Sequence, residues 1–228
     1  MYFLSNYLWE KNLRPINEDS LCLYHVNYAS KPLLFCALCD GVGGLNHGEY
    51  ASRTVINNLK EYFDNYDRTS SIRLNKIHKN LSRILYISHN ALTRCATTVC
   101  LLVIYGNKGL IMSCGDSRIY GGKRRLKQLT KDNVDSKGRL TSVIGSGSFN
   151  HLPYRRFRVK SGDNFILCSD GFYKRTGSCL FNLRIGDCKS DEDIKNCLIE
   201  VYNTAVNNKE SDNCSAIAIC ARKGNLYT

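Results

Sequence analysis

The sequence predicts an α+β fold in which two antiparallel sheets are flanked by helices. Three observations lead there. Strand-like segments come in runs instead of alternating one by one with helices, which disfavours a parallel doubly wound sheet. Two amphipathic helical stretches follow one another in the first half of the chain, at 49–62 and 71–91. Gly106-Asn107 sits between two apolar runs, as a hairpin turn requires.

Residues 1–12 are apolar and aromatic in places. They lack a basic leader, a continuous apolar core and a small-residue cleavage site, so they do not read as a signal peptide. Residues 21–26 and 33–39 read as two strands. Residues 49–62 carry Val55, Leu59 and Tyr62 at helical spacing, and 71–91 carry Ile77, Leu81, Ile84, Leu85 and Ser88 on one face. A meander follows at 97–105, 108–113, 118–121 and 126–129, with further strands at 156–159 and 165–168. Residues 191–208 return to a helix with Ile194, Leu198 and Val201 on one side, and 214–221 form a last apolar strand.

The chain has 228 residues, 43% apolar and 23% charged, which suits one compact domain, 1–228, with a core that needs no disulfide staples. No run approaches the length of a membrane span. Of twelve cysteines, several lie inside apolar runs (Cys36, Cys39, Cys100, Cys168), where a reduced thiol acts as a small hydrophobe. Cys36 and Cys39 are spaced C-x-x-C, but residues three apart on a strand face opposite sides, which suits neither a redox pair nor zinc. Reduced cysteines and no secretion signal point to the cytoplasm.

The net charge of +12 concentrates in Lys123-Arg124-Arg125-Leu126-Lys127 and Arg155-Arg156-Phe157-Arg158-Val159-Lys160. These are solvated basic faces, and functionally they would attract acidic partners. No nucleic-acid-binding motif accompanies them.

The informative residues are acids at strand ends. Asp40 closes the 33–39 strand ahead of Gly41-Val42-Gly43-Gly44, and Asp170 closes 165–168 ahead of Gly171. Asp116 follows Gly115 after 108–113; Asp212 and Asn213 precede the last strand, and Glu18 and Asp19 the first. Any one of them could serve its turn alone, as Asp commonly does. Five deliveries of carboxylate to strand rims make a cluster that needs cations to coexist, and oxygen-only ligands favour Mg²⁺ or Mn²⁺. No cysteine has an arginine six positions on, which excludes a cysteine phosphatase site. Asn46 spoils the dinucleotide fingerprint that begins at Gly41, and no Walker sequence is present.

In order along the chain, Arg14-Pro15-Ile16-Asn17-Glu18-Asp19 resembles R-x-x-N-E-D, and Asp40-Gly41-Val42-Gly43-Gly44 resembles D-G-x-G-G. Gly48-Glu49-Tyr50-Ala51-Ser52 resembles G-E-x-A-S, Ala96-Thr97-Thr98 stands for G-T-T, and Gly115-Asp116-Ser117-Arg118 matches G-D-S-R. Leu129-Thr130-Lys131-Asp132, Ser169-Asp170-Gly171 and Asp212-Asn213 match L-T-x-D, S-D-G and the closing D-N. The series resembles the PP2C (PPM) family of metal-dependent serine/threonine protein phosphatases in its compact bacterial form.

The resemblance implies a four-layer αββα sandwich and an enzyme that attacks a phosphoester with water activated by two Mn²⁺ or Mg²⁺ ions, with a looser third. Asp40 would bridge two metals, with the Gly41 carbonyl on one of them; Asp170 and Asp212 would complete the second. Glu18 and Asp19 would act through bound waters, and Asp116 with Asp170 would hold the third ion. Arg14 would clamp phosphate, while Ser117 and Arg118 are internal braces. Val42 stands where some members carry a histidine, and His47 nearby reads as a surface loop residue. The family's mobile flap is trimmed here to about 133–142.

Expected partners are phosphorylated serine/threonine proteins of acidic character and an opposing kinase. The expected state is a monomer without nucleic acid or membrane. Two other functions fit the same fold: a phosphatase of small phosphorylated metabolites, or a non-catalytic phosphoprotein-binding module.

Overall fold

The structure, a computed structural model, describes residues 1–28, 31–43, 47–66, 72–149 and 152–224. Its strands are β1 (Tyr2–Glu10), β2 (Asp19–Tyr28), β3 (Lys31–Asp40), β4 (Ala96–Thr97), β5 (Val99–Tyr105), β6 (Lys108–Cys114), β7 (Arg118–Gly122), β8 (Lys127–Gln128), β9 (Ile144–Gly145), β10 (Tyr154–Arg158), β11 (Asn164–Cys168) and β12 (Cys214–Arg222). Its α-helices are α1 (Gly48–Asp64), α2 (Leu74–Ala91), α3 (Asp170–Tyr173) and α4 (Asp191–Asn207). One five-stranded sheet has the order β1-β12-β11-β7-β8 and the other β10-β6-β5-β3-β2. Every strand pair in both is antiparallel.

Strand β3 shows why the layers stack. Successive side chains point to opposite faces. Leu34, Cys36 and Leu38 enter the core between the sheets, against Phe165, Leu167, Ile217 and Ile219. Leu33, Phe35, Ala37 and Cys39 enter a second core with Val55 and Leu59 of α1 and Ile77, Leu81 and Leu85 of α2. The other sheet turns Ile166, Ala216 and Ala218 toward Ile194, Leu198 and Val201 of α4. With both faces buried, β3 reads as a continuous apolar run instead of an alternation. Cys36 and Cys39 lie in different cores, and all twelve cysteines are free. Among the described residues, no helix is long and apolar enough to cross a membrane.

Several boundaries shift. The expected strand 97–105 breaks after Thr97: β4 pairs with β9, whereas β5 stays in the main sheet. The expected strand 126–129 keeps only β8, and Gly106 takes φ +58° in the β5–β6 turn. Helix α2 starts at Leu74, and its expected first residue, Ser71, lies outside the described residues. The terminal strand β1 was not foreseen. It pairs along its whole length with β12, burying Phe3 and Leu8 while Tyr7 and Trp9 face outward. The outer edge of β1 is covered by α4: the Ser5 amide donates to Asp191 Oδ1 at 2.7 Å, and Lys195 Nζ to the Tyr7 carbonyl at 2.8 Å.

Candidate metal centre

Register brings the acids to one rim. Asp19, first in β2, sits opposite Asp40, last in β3. Arg118, first in β7, sits opposite Cys168, last in β11, whose far neighbour β12 begins just after Asp212. The β6–β7 turn carries Asp116 to the same rim, because Cys114 pairs with Val99 beside the end of β3. The rim thus gathers Asp19, Asp40, Asp116, Asp170 and Asp212 from both sheets.

Asp40 is fixed through its backbone. Its amide donates to Thr98 Oγ1 at 3.1 Å, and its carbonyl accepts from the Thr98 amide at 2.8 Å and Thr97 Oγ1 at 2.9 Å. Thr98 is tied in turn to Ser117, hydroxyl to hydroxyl, at 2.6 Å. Among the described residues nothing donates to the Asp40 carboxylate. Its pKa is pushed well above the carboxylate range by burial, then by Asp19, Asp170, Asp116 and Asp212. Asp19 is 1% exposed, and neither carboxylate oxygen makes a hydrogen bond of good geometry. Burial pushes its pKa up to about 7, against the nearby hydroxyls of Ser215 and Ser169. Asp116 is raised by burial and then by Asp170, with Lys174 opposing, and Glu18 by burial and then Glu49.

Two acids already have side-chain cations. Arg14 donates to Asp212 Oδ2 at 2.9 Å, with both groups partly exposed. Lys174, one turn after Asp170 on α3, donates to Asp170 Oδ2. Burial disfavours its charge, yet the hydrogen bond and charge of Asp170, with Asp116 and Asp40, raise its pKa overall. A cleft of about 360 Å³ lined by Asp170, Lys174, Arg175, Glu210 and Asp212 opens beside these pairs.

The supports include residues that the motifs alone did not explain. Asn213 accepts from the Glu18 amide at 2.9 Å and donates to the carbonyls of Lys11 and Ile16, so it holds the loop that presents Arg14 and Glu18. Asp132 accepts two-pronged bonds from Arg118, whose guanidinium lies 3.7 Å over the Tyr173 ring. The Tyr173 hydroxyl donates to the Asp116 carbonyl at 3.1 Å, so Asp132 acts on Asp116 through two intermediates. The stub at 133–142 closes on itself through a Val134–Leu140 bridge and is tied to Gly115 at Asn133. His47 is exposed beside Glu49, at 3.6 Å, and Gly44 lies outside the described residues.

Gly41 is where the backbone itself packs. A Cβ there would lie 2.5 Å from the Gly48 carbonyl carbon and 2.9 Å from the Glu18 oxygen, both main-chain atoms unable to turn aside. Gly41→Ala is therefore expected to destabilise the protein by about 1–3 kcal/mol, the usual cost of overpacking. Gly43→Ala meets only the end of Glu18 at 3.7 Å and should stay within about 0.5 kcal/mol of wild type. Thermal unfolding of the two variants checks this; equal melting points would show that the Gly41 contact is soft.

The donor set suits a hard divalent cation. The rim offers only oxygens, Asp19 leaves two buried oxygens without a well-aligned hydrogen bond, and the charge on Asp40 is opposed by four neighbours. In the arrangement described, no three His, Cys, Asp or Glu side chains already surround a common point among the described residues. The carboxylates held by Arg14 and Lys174 would have to turn to reach one.

Comparison with known proteins gives the same direction. The family model for protein phosphatase 2C matches residues 15–213. A candidate protein phosphatase of Mycoplasma genitalium is 23% identical over 92% of this chain and 92% of its own length. The serine/threonine phosphatase Stp1 of Staphylococcus aureus superposes with TM-score 0.82 at 21% identity, covering 98% of this chain and 96% of that one. The catalytic domain of the phosphatase PstP, solved with two manganese ions, superposes with TM-score 0.75 at 22% identity, covering 97% and 99%.

Proposed function

We propose that the chain, which belongs to the protein phosphatase 2C family, is a metal-dependent serine/threonine protein phosphatase whose rim of five aspartates and Arg14 is the catalytic centre. The convergence of Asp19, Asp40, Asp116, Asp170 and Asp212 from both sheets carries this reading. Asp40, the Gly41 carbonyl, Asp170 and Asp212 would hold the ions. Glu18 and Asp19 would orient water around them, and Asp116 with Asp170 would form a looser third position. Mn²⁺ or Mg²⁺ held there supplies charge neutralisation and water acidic enough to attack at neutral pH.

The chain's own residues set up the rest. Arg14 extends from the Asn213-anchored loop, and its planar guanidinium matches two phosphate oxygens. Taking phosphate would exchange its bond to Asp212 for one to substrate, freeing that carboxylate for the cation. Lys174 is hydrogen-bonded to Asp170 and its charge also acts on Asp116, so part of the repulsion there is relieved by the protein itself. Val42 has no proton to give, so reactivity should depend strongly on the leaving group. The basic surface would favour acidic phosphoproteins, and the opposing enzyme would be a protein kinase.

Hydrolysis of p-nitrophenyl phosphate and of a phosphoserine peptide is expected with added Mn²⁺, and excess EDTA should abolish both. Turnover that persists in EDTA would sink the metal mechanism. A panel of sugar and nucleotide phosphates turned over faster than the peptide would favour a metabolite phosphatase.

A further inference from the structure

A groove of about 1350 Å³ lies away from the aspartates. Strands β3 and β6 contribute Lys31 and Lys108 at their first residues, and the edge strand β10 contributes Arg156 and Arg158. The start of α2 and the residue before it add Arg73, Lys76 and Lys79. No Asp or Glu lines it among the described residues. Strand β3 runs ten residues from this groove to Asp40, so the two sites are about 30 Å apart at a strand's rise of about 3.3 Å per residue.

We propose that this groove docks an extended acidic segment of the phosphoprotein substrate, at a distance from the phosphate being removed. The proposal rests on the phosphatase reading only for calling that segment part of a substrate.

Four features select this occupant. Seven cationic side chains with no carboxylate among them favour a polyanion. The groove exceeds the roughly 300–1,000 Å³ of a small-molecule pocket. Among the described residues, strand β10 pairs only with β6 and is largely exposed, so its outer edge could take an added strand. Its arginines repel another copy of this basic edge while attracting an acidic strand. Partly buried Ile72, Leu74 and Phe157 supply an apolar floor for alternate side chains.

A single-stranded nucleic acid is the rival polyanion, but it would want free aromatic faces on which to stack bases. Here they are taken. Tyr105 and Phe157 are the aromatic side chains lining the groove among the described residues, and Lys31 Nζ sits 5.9 Å over the Tyr105 ring. Phe157 lies so close over Gly109 that a Cβ there would be 2.4 Å from the ring.

The test begins with a fluorescein-labelled, unphosphorylated peptide of alternating Glu and Val, titrated with the full chain. The triple variant Lys79→Glu, Lys108→Glu, Arg158→Glu should weaken binding at least about tenfold, and the matching triple Gln variant should weaken it less. On catalysis, the Glu variant should lose about tenfold in kcat/KM on a phosphoserine peptide carrying the acidic segment roughly ten residues from the phosphate. It should keep wild-type turnover of p-nitrophenyl phosphate. Equal peptide binding by wild type and both variants overturns the proposal, as does displacement of the peptide by a single-stranded oligonucleotide of equal charge at lower concentration. If p-nitrophenyl phosphate is never hydrolysed, the phosphatase reading fails, while the binding titration still decides the groove.

Discussion

Asp40→Asn is expected to remove at least about 99% of turnover while leaving the protein, in EDTA, as stable as wild type or more so. Two orders of magnitude correspond to about 2.7 kcal/mol of barrier. The loss follows from position: the charge of Asp40 is opposed by Asp19, Asp170, Asp116 and Asp212, so its carboxylate sits among the rim aspartates that shared cations would join. The stability effect follows from the same repulsion. Asparagine keeps the shape and removes a like charge, and the bonds that hold residue 40 in place come from its backbone, which the substitution spares. Adding Mn²⁺ should reverse the order, because a ligand bound only by the folded wild type raises its apparent stability by mass action. Melting curves of both proteins, with EDTA and with Mn²⁺, would show this crossing. A variant that unfolds more easily under both conditions would make Asp40 a structural residue.

Arg14→Ala should lower kcat/KM on both p-nitrophenyl phosphate and phosphopeptides by about 10- to 100-fold, the range for a lost hydrogen bond to a charged group of about 1.5–3 kcal/mol. Neutralising Lys123, Arg124 and Arg125 should instead slow only acidic phosphopeptides. That second effect should fade with salt, because charges beyond a Debye length of about 10 Å at 0.1 M are screened. The Arg14 defect should persist, since it reflects direct contact with phosphate. A salt series of kcat/KM for both substrates on both variants separates the two. Equal salt sensitivity of the defects would reduce Arg14 to one more surface charge.

Much of this was legible in the sequence where the signal is local. The end of β3 announces itself as an apolar run closed by Asp40 and glycines, and α1, α2 and α4 carry their buried stripes at helical spacing. The acids at strand ends were legible one by one; their meeting was not, because it depends on register across two sheets. Strand β1 escaped because Tyr7 faces outward between buried Phe3 and Leu8 and Trp9 faces outward just beyond Leu8, blurring the alternation that marks a half-buried strand. The break after Thr97 was hidden because Thr97 and Thr98 suit a strand, yet both turn their bonding to the Asp40 backbone. Lys174 was visible as a basic residue four after Asp170, but nothing marked it until α3 formed a helical turn there. Asn213 carried a motif match without a role, which appeared only with its bonds to the distant Lys11–Glu18 loop.

The central claim is that these aspartates form a shared cage for divalent cations with Asp40 at its centre. Calorimetric titration of Mn²⁺ into the metal-stripped protein tests it without relying on turnover. Wild type is expected to take up two equivalents tightly, Asp40→Asn neither of them, and Asp116→Asn both. Wild-type protein that shows no saturable uptake, or Asp40→Asn that binds Mn²⁺ as wild type does, would contradict it.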